Sequence, residues 1–120
     1  MTTLAEVVVA LVALLHVYFL VLEMFLWTKP AGRRAFGTTA EFAEASRVLA
    51  ANQGLYNGFL AAGLLWGLWL GGTGRAVVTF FLLCVIVAGL FGAVTLKWTT
   101  LVLQTIPAAL ALIAIRRWPD

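Results

Sequence analysis

Long apolar runs broken by short polar ones set the rhythm of this chain. A helix that crosses a bilayer needs about 17–25 predominantly apolar residues. Four stretches satisfy that requirement: Leu4–Trp27, Ala50–Leu70, Ala76–Leu96 and Thr99–Ile115. The segments between them are "TKPAGRRAFGTT", "GGTG" and "KWTT". The last is short enough to make the third and fourth runs an antiparallel hairpin. Ahead of the second run, Thr38 stands three residues before Glu41, a capping-box spacing. No Pro or Gly follows until Gly54, so the pattern predicts one helix over residues 39–70. At 1.5 Å per residue it would reach about 48 Å, beyond a hydrocarbon core of about 30 Å. Its first turns must then stand in the headgroups or in water, where Phe42, Glu41, Glu44 and Arg47 suit them. The expected fold is all-α: a four-helix transmembrane bundle forming one integral membrane domain, with the second helix extended at its N-terminal end.

Composition strengthens this reading. Of 120 residues, 63% are hydrophobic and 11% charged, against about 45–50% and 25% in soluble domains. The net charge of +3 comes from basic residues at the ends of the apolar runs. That placement speaks of topology and lipid headgroups, and no nucleic-acid partner is expected. Lys29, Arg33, Arg34, Arg47 and Lys97 fall on one side, and Arg75, Arg116 and Arg117 on the other. The excess favours a cytoplasmic first loop. Trp27, Trp98 and Trp118 stand near run ends, where indoles anchor at the interface. No basic residue precedes the first run and no small-residue cleavage site follows it, so it does not read as a signal peptide. Cys84 is the single cysteine and lies in an apolar run, where it reads as packing.

The polar residues inside the runs are the candidate chemistry. His16 and Glu23 are seven residues apart. That is about two turns, so they share a helix face with Leu20 and Trp27, about 10 Å apart along the axis. In the second run "NQGLYNG" gathers Asn52, Gln53, Tyr56 and Asn57 on one broad face. Ala50, Gly54, Gly58 and Ala62 form a small-residue ridge centred nearly opposite, open to close helix approach. Ala88, Gly89, Gly92 and Ala93 offer a matching surface in the third run. Depth matching brings Glu23 level with Asn52 and Gln53, and with Thr95, Thr99, Thr100 and Gln104 from the last hairpin. Pro107 removes a backbone donor and frees a carbonyl one turn upstream. The pattern predicts a polar pocket toward the first-loop side. Its acid-base pair would be Glu23 and His16, its ligand-binding groups Asn52, Gln53, Tyr56, Asn57, Gln104 and Trp27. A carboxyl facing lipid costs about 2.5–3.5 kcal/mol. Hydrogen bonds that merely hold helices together, at about 0.6–2 kcal/mol each, are the alternative use of these groups.

"LEMFLW", "TKPAGRRAFG" and "VLAANQGLYNGFLAAGLLWG" resemble a family of small bacterial membrane proteins, domain-of-unknown-function family 1304. The resemblance covers nearly the whole chain. It implies four membrane helices and a multi-pass place in the bacterial cytoplasmic membrane. It assigns no activity, and its motif residues His16, Glu23, Asn52, Gln53, Tyr56 and Asn57 are those already selected.

Three functions fit these residues. The favoured one is acid-base isomerisation or epimerisation of a small lipophilic or amphiphilic compound, with His16 and Glu23 on either side of it. Another is proton-coupled transport through Glu23, similar in architecture to the small multidrug resistance transporters but without their sequence pattern. The third is a structural or accessory membrane subunit. No nucleotide motif, nucleophile triad or phosphate loop is present. One His and one distant Glu make a poor metal or haem set, so no cofactor or metal is expected. A homo-oligomer could form through Gly54 and Gly58 or through Gly89 and Gly92.

Overall fold

A computed structural model describes residues 2–116; Arg117 and Trp118, named above as flanking residues, lie outside that range. Among the described residues the chain is helical throughout, with no strand. Its elements are α1 (Thr3–Met24), α2 (Pro30–Phe36), α3 (Ala40–Ala45), α4 (Arg47–Leu70), a 3-10 turn (Gly71–Gly74), α5 (Arg75–Thr95), a π-helical segment (Leu101–Thr105) and α6 (Ile106–Ile115). Helix α1 and the run Arg47–Thr95 are long and apolar enough to cross a membrane, and Leu101–Ile115 is a shorter apolar helix.

Each long helix buries one seam. In α1 the buried positions include Val9, Val12, His16 and Glu23; in α4, Ala50, Gly54, Asn57, Ala61 and Leu64; in α5, Val78, Leu82, Val85, Gly89 and Gly92. Helix α6 repeats the spacing with Ala108, Ala111 and Ile115. Steps of three and four residues average 3.5, the period at which one side of a helix keeps facing its neighbours.

The chain divides into two compact units, residues 1–14 with 60–120, and residues 15–59. The first is organised around Ala5, Val9, Val12 and Ala13 of α1, Leu64 of α4, Val78, Leu82 and Val85 of α5, and Ala108, Ala111 and Ile115 of α6. Here α5 and the last segment form the expected hairpin. The Thr100 hydroxyl donates to the Gly89 carbonyl at 2.8 Å, and the Thr105 hydroxyl to the Ile86 carbonyl at 3.2 Å. The Gly89 and Gly92 surface is therefore already taken by Thr105, Gln104 and Thr100 of the same chain. The fourth run is not one uniform α-helix. Pro107 has no N–H for the Leu103 carbonyl, and the preceding turn widens so that the Ile106 N–H reaches the Leu101 carbonyl instead.

The second unit holds the end of α1, both short helices and the start of α4. Helix α1 stops at Met24, short of Trp27, and the chain turns back through the Lys29 N–H to Leu26 carbonyl bond, 3.0 Å. Two expectations are corrected here. The cap before the second run is Thr39, whose hydroxyl accepts the Phe42 N–H at 3.1 Å, and not Thr38. The predicted helix over 39–70 is also interrupted at Ser46. The Ser46 hydroxyl bonds back to the Phe42 carbonyl at 2.7 Å, an alternative to the helical ladder that short hydroxyl side chains offer. Residue 46 then leaves helical geometry, and the N-terminal extension is the separate helix α3. Thr39→Ala is expected to destabilise α3 by about 1 kcal/mol, read as faster hydrogen exchange at the Phe42 amide and unchanged exchange in α5.

Candidate functional site

Within the second unit, α1 and α4 run antiparallel: Leu20 packs against Gly58, while Glu23 and Met24 pack against Gly54. A Cβ at Gly54 would lie 2.7 Å from Met24 Cγ and 3.1 Å from Glu23 Cβ, so the missing side chain is what lets the helices meet. The small-residue ridge thus faces α1 of the same chain, and an assembly through Gly54 and Gly58 would have to displace it.

This approach carries Asn57 to Glu23. The Asn57 amide Nδ2 donates to Glu23 Oε1 at 2.5 Å, and the two residues are 7% and 2% exposed. The bond joins residues 34 apart in sequence and lies in the seam of both helices. His16 is fully buried two turns earlier on α1, its ring edge-to-face with Phe19 at 5.4 Å. Leu20 lies between His16 and Glu23 along α1 and fills the space above Gly58.

The other predicted site residues of this unit stand away from that bond. Asn52 and Gln53 are exposed, and Asn52 Nδ2 bonds to the Val48 carbonyl of its own helix at 2.9 Å. Tyr56 is 64% exposed and meets Phe59 edge-to-face. Trp27 is half-buried outside α1, its indole N–H donating to Ser46 Oγ at 3.0 Å and its ring 4.9 Å from Phe36. Gln104 belongs to the other unit, with its Cβ against Gly89. Within this unit the structure brings together Glu23 and Asn57 of the expected group, with His16 on the same seam. Spacing alone does not single out Ser46 as a partner of Trp27; a serine within an otherwise strong helix pattern is the signal that points to it.

Chemically, Glu23 and Asn57 make an acid held by a neutral amide within an apolar seam. A carboxyl in such a place is either protonated, or ionised against a cation or strong donors. Among the described residues no three His, Cys, Asp or Glu side chains gather to hold a metal.

Residues 10–116 match the family described as "Protein of unknown function (DUF1304)". The chain belongs to the DUF1304 family. The match takes in His16, Glu23 and Asn57. A similar protein is the uncharacterised YpaA of Lactococcus lactis subsp. lactis, 33% identical over 116 residues, which are 95% of this chain and 98% of that protein. No solved structure matches the chain.

Proposed function

We propose that this DUF1304 protein is a multi-pass protein of the bacterial cytoplasmic membrane, a four-helix transmembrane bundle, in which Glu23 exchanges a proton against a small lipophilic or amphiphilic cation. The observation that carries the proposal is the buried Glu23–Asn57 pair in a largely apolar seam, where His16 is the other buried polar side chain among the described residues. A carboxylate in a membrane interior is costly unless compensated. A proton and an organic cation compensate it equally in charge, and one carboxyl cannot hold both. Competition of that kind couples a proton to a cargo. Asn57 supplies a hydrogen bond without a second charge, so the exchange is not blocked by a permanent ion pair.

A second reading, acid-base isomerisation, is favoured by His16, which is fully buried on the same seam. It would need Leu20 to leave Gly58 and admit a substrate between the two groups. Exposure of Asn52, Gln53 and Tyr56 leaves fewer groups to orient that substrate, and this gives preference to proton exchange.

Proton release decides between the readings. Adding tetraphenylphosphonium to detergent-solubilised protein in weak buffer should release up to one proton per chain, with none from Glu23→Gln. If the wild type releases none, while both proteins melt at the same temperature with and without the cation, Glu23 and Asn57 serve only to join helices. The membrane assignment is checked separately, by retention of the full chain in the membrane pellet after alkaline carbonate washing.

A further inference from the structure

The segment between α1 and α4 contains two buried polar side-chain atoms without a hydrogen-bond partner among the described residues. Helix α2 ends at Gly37, whose φ of 66° is left-handed. The N–H groups of Gly37 and Thr38 both turn back to the Arg33 carbonyl, the latter at 3.1 Å. That is the closing pattern in which the residue opening the last helical turn and the one after the glycine frequently make a side-chain contact. The usual pair there is apolar. In this chain it is Arg33 and Thr38. Their polar atoms Arg33 Nε and Thr38 Oγ1 are both buried and lack a hydrogen-bond partner among the described residues. Buried polar groups are rarely left so.

We infer that the end of α2 is a binding site for a phosphate group, taken from an anionic phospholipid, with Arg33 and Thr38 as its ligands. Both atoms are closed off from solvent in the free chain, so the two side chains must turn outward to bind; the guanidinium then offers Nε–H and Nη–H as a fork that matches two phosphate oxygens, and the Thr38 hydroxyl can donate a third bond. Lys29 lies one turn before Arg33, joined to it by the Arg33 N–H to Lys29 carbonyl bond at 3.0 Å, and adds positive charge to that face. The other cations of this unit are engaged: Arg34 Nε with the Pro30 carbonyl and Arg47 with Glu44 at 3.5 Å. Glu41, the carboxylate nearest in sequence, is exposed one turn beyond Thr38, and among the described residues it forms no ion pair with Arg33. Trp27 packs its ring, tilted, against Phe36 at the end of α2, and indoles gather at headgroup level. Phospholipid as the source rests on the membrane reading above; the phosphate chemistry does not.

The test uses the full chain, delipidated in a maltoside detergent. Native mass spectrometry follows retention of added phosphatidylglycerol or phosphatidylcholine, and thermal melting follows protection by inorganic phosphate. Wild type should retain phosphatidylglycerol at least about tenfold better than Arg33→Gln, and about three- to tenfold better than Thr38→Val. Arg34→Gln removes the same charge and should stay within about twofold of wild type. Arg33→Lys keeps the charge without the fork; it should melt like the wild type yet lose most of the retention. Protection by inorganic phosphate that Arg33→Gln abolishes, without lipid retention, would keep the site and name free phosphate as its source. Equal losses in Arg33→Gln and Arg34→Gln would mean diffuse attraction and would overturn the site, as would equal retention in all variants. A chain that stayed in solution after detergent removal would defeat the membrane reading alone, because the phosphate arm would still be read.

Discussion

Asn57→Ala is expected to cost this protein about 3 kcal/mol, more than Glu23→Gln, although alanine is the better helix former. The reason is asymmetry. Truncating Asn57 removes the donor from a carboxyl that is 2% exposed and cannot turn to water. A stranded neutral acid loses about 1–3 kcal/mol, and a stranded carboxylate about 3–5. Glu23→Gln leaves an amide facing an amide, which can still share a hydrogen bond, so its cost should stay below about 1.5 kcal/mol. Replacing both partners, Glu23→Met with Asn57→Leu, should recover most of the loss, because a buried polar pair is often no more stabilising than apolar groups of similar volume. Reversible unfolding of wild type, Glu23→Met, Asn57→Leu and the double variant in mixed micelles gives the coupling directly. The double variant also separates structure from function. It should fold, yet release no proton when tetraphenylphosphonium is added. An Asn57→Ala protein within about 0.5 kcal/mol of wild type would mean that the pair is not closed off from solvent as described.

Much of this arrangement is legible in the order of residues, and what is not has a common cause. His16 and Glu23 are found on one seam because two turns of helix are close to seven residues, whatever the surroundings. The long apolar elements are found because composition and length suffice. The partner of Glu23 is harder. Asn52, Gln53, Tyr56 and Asn57 form one polar face by spacing, and the small ridge of Ala50, Gly54, Gly58 and Ala62 is centred nearly opposite on an ideal helix. In the structure α4 presents the ridge side to α1, and Asn57 at its edge meets Glu23 while the rest of the polar face is exposed. In a soluble helix the exposed face would be marked by charge. Here Leu55, Phe59 and Leu65 are exposed, while Leu64 is buried. With apolar residues on both sides, hydrophobicity does not set the phase of the helix; close approach at glycine does. The break at Ser46 and the π-helical turn before Pro107 are illegible for another reason. Each depends on one hydrogen bond competing with a helical ladder, at about 1 kcal/mol, below what a pattern of residue types resolves.

Close approach also governs the first loop, and there the effect of one methyl group should be as large as losing Asn57. Gly32 is the buried residue of α2, and it faces the Leu26 carbonyl in the turn that follows α1. A Cβ at this position would overlap that oxygen and the carbon that bears it, with Trp27 Cα 3.0 Å away. All three are backbone atoms, so no side chain can swing aside. Gly32→Ala should therefore push α2 off the chain beneath it, at a cost of about 3 kcal/mol, despite the better helix propensity of alanine. Gly72→Ala is the matched control, since a Cβ there meets nothing within 4 Å and its φ is not positive; it should leave stability within about 0.5 kcal/mol. The lesion should also be local. Displacing α2 removes Phe36 from the Trp27 ring and disturbs the Trp27 to Ser46 bond, so the Trp27 environment should change. With the other four tryptophans replaced by phenylalanine, a red-shifted Trp27 emission in Gly32→Ala, with Gly72→Ala unchanged, is the expected result. The same stability and emission in both variants would mean that α2 does not rest on the α1 turn.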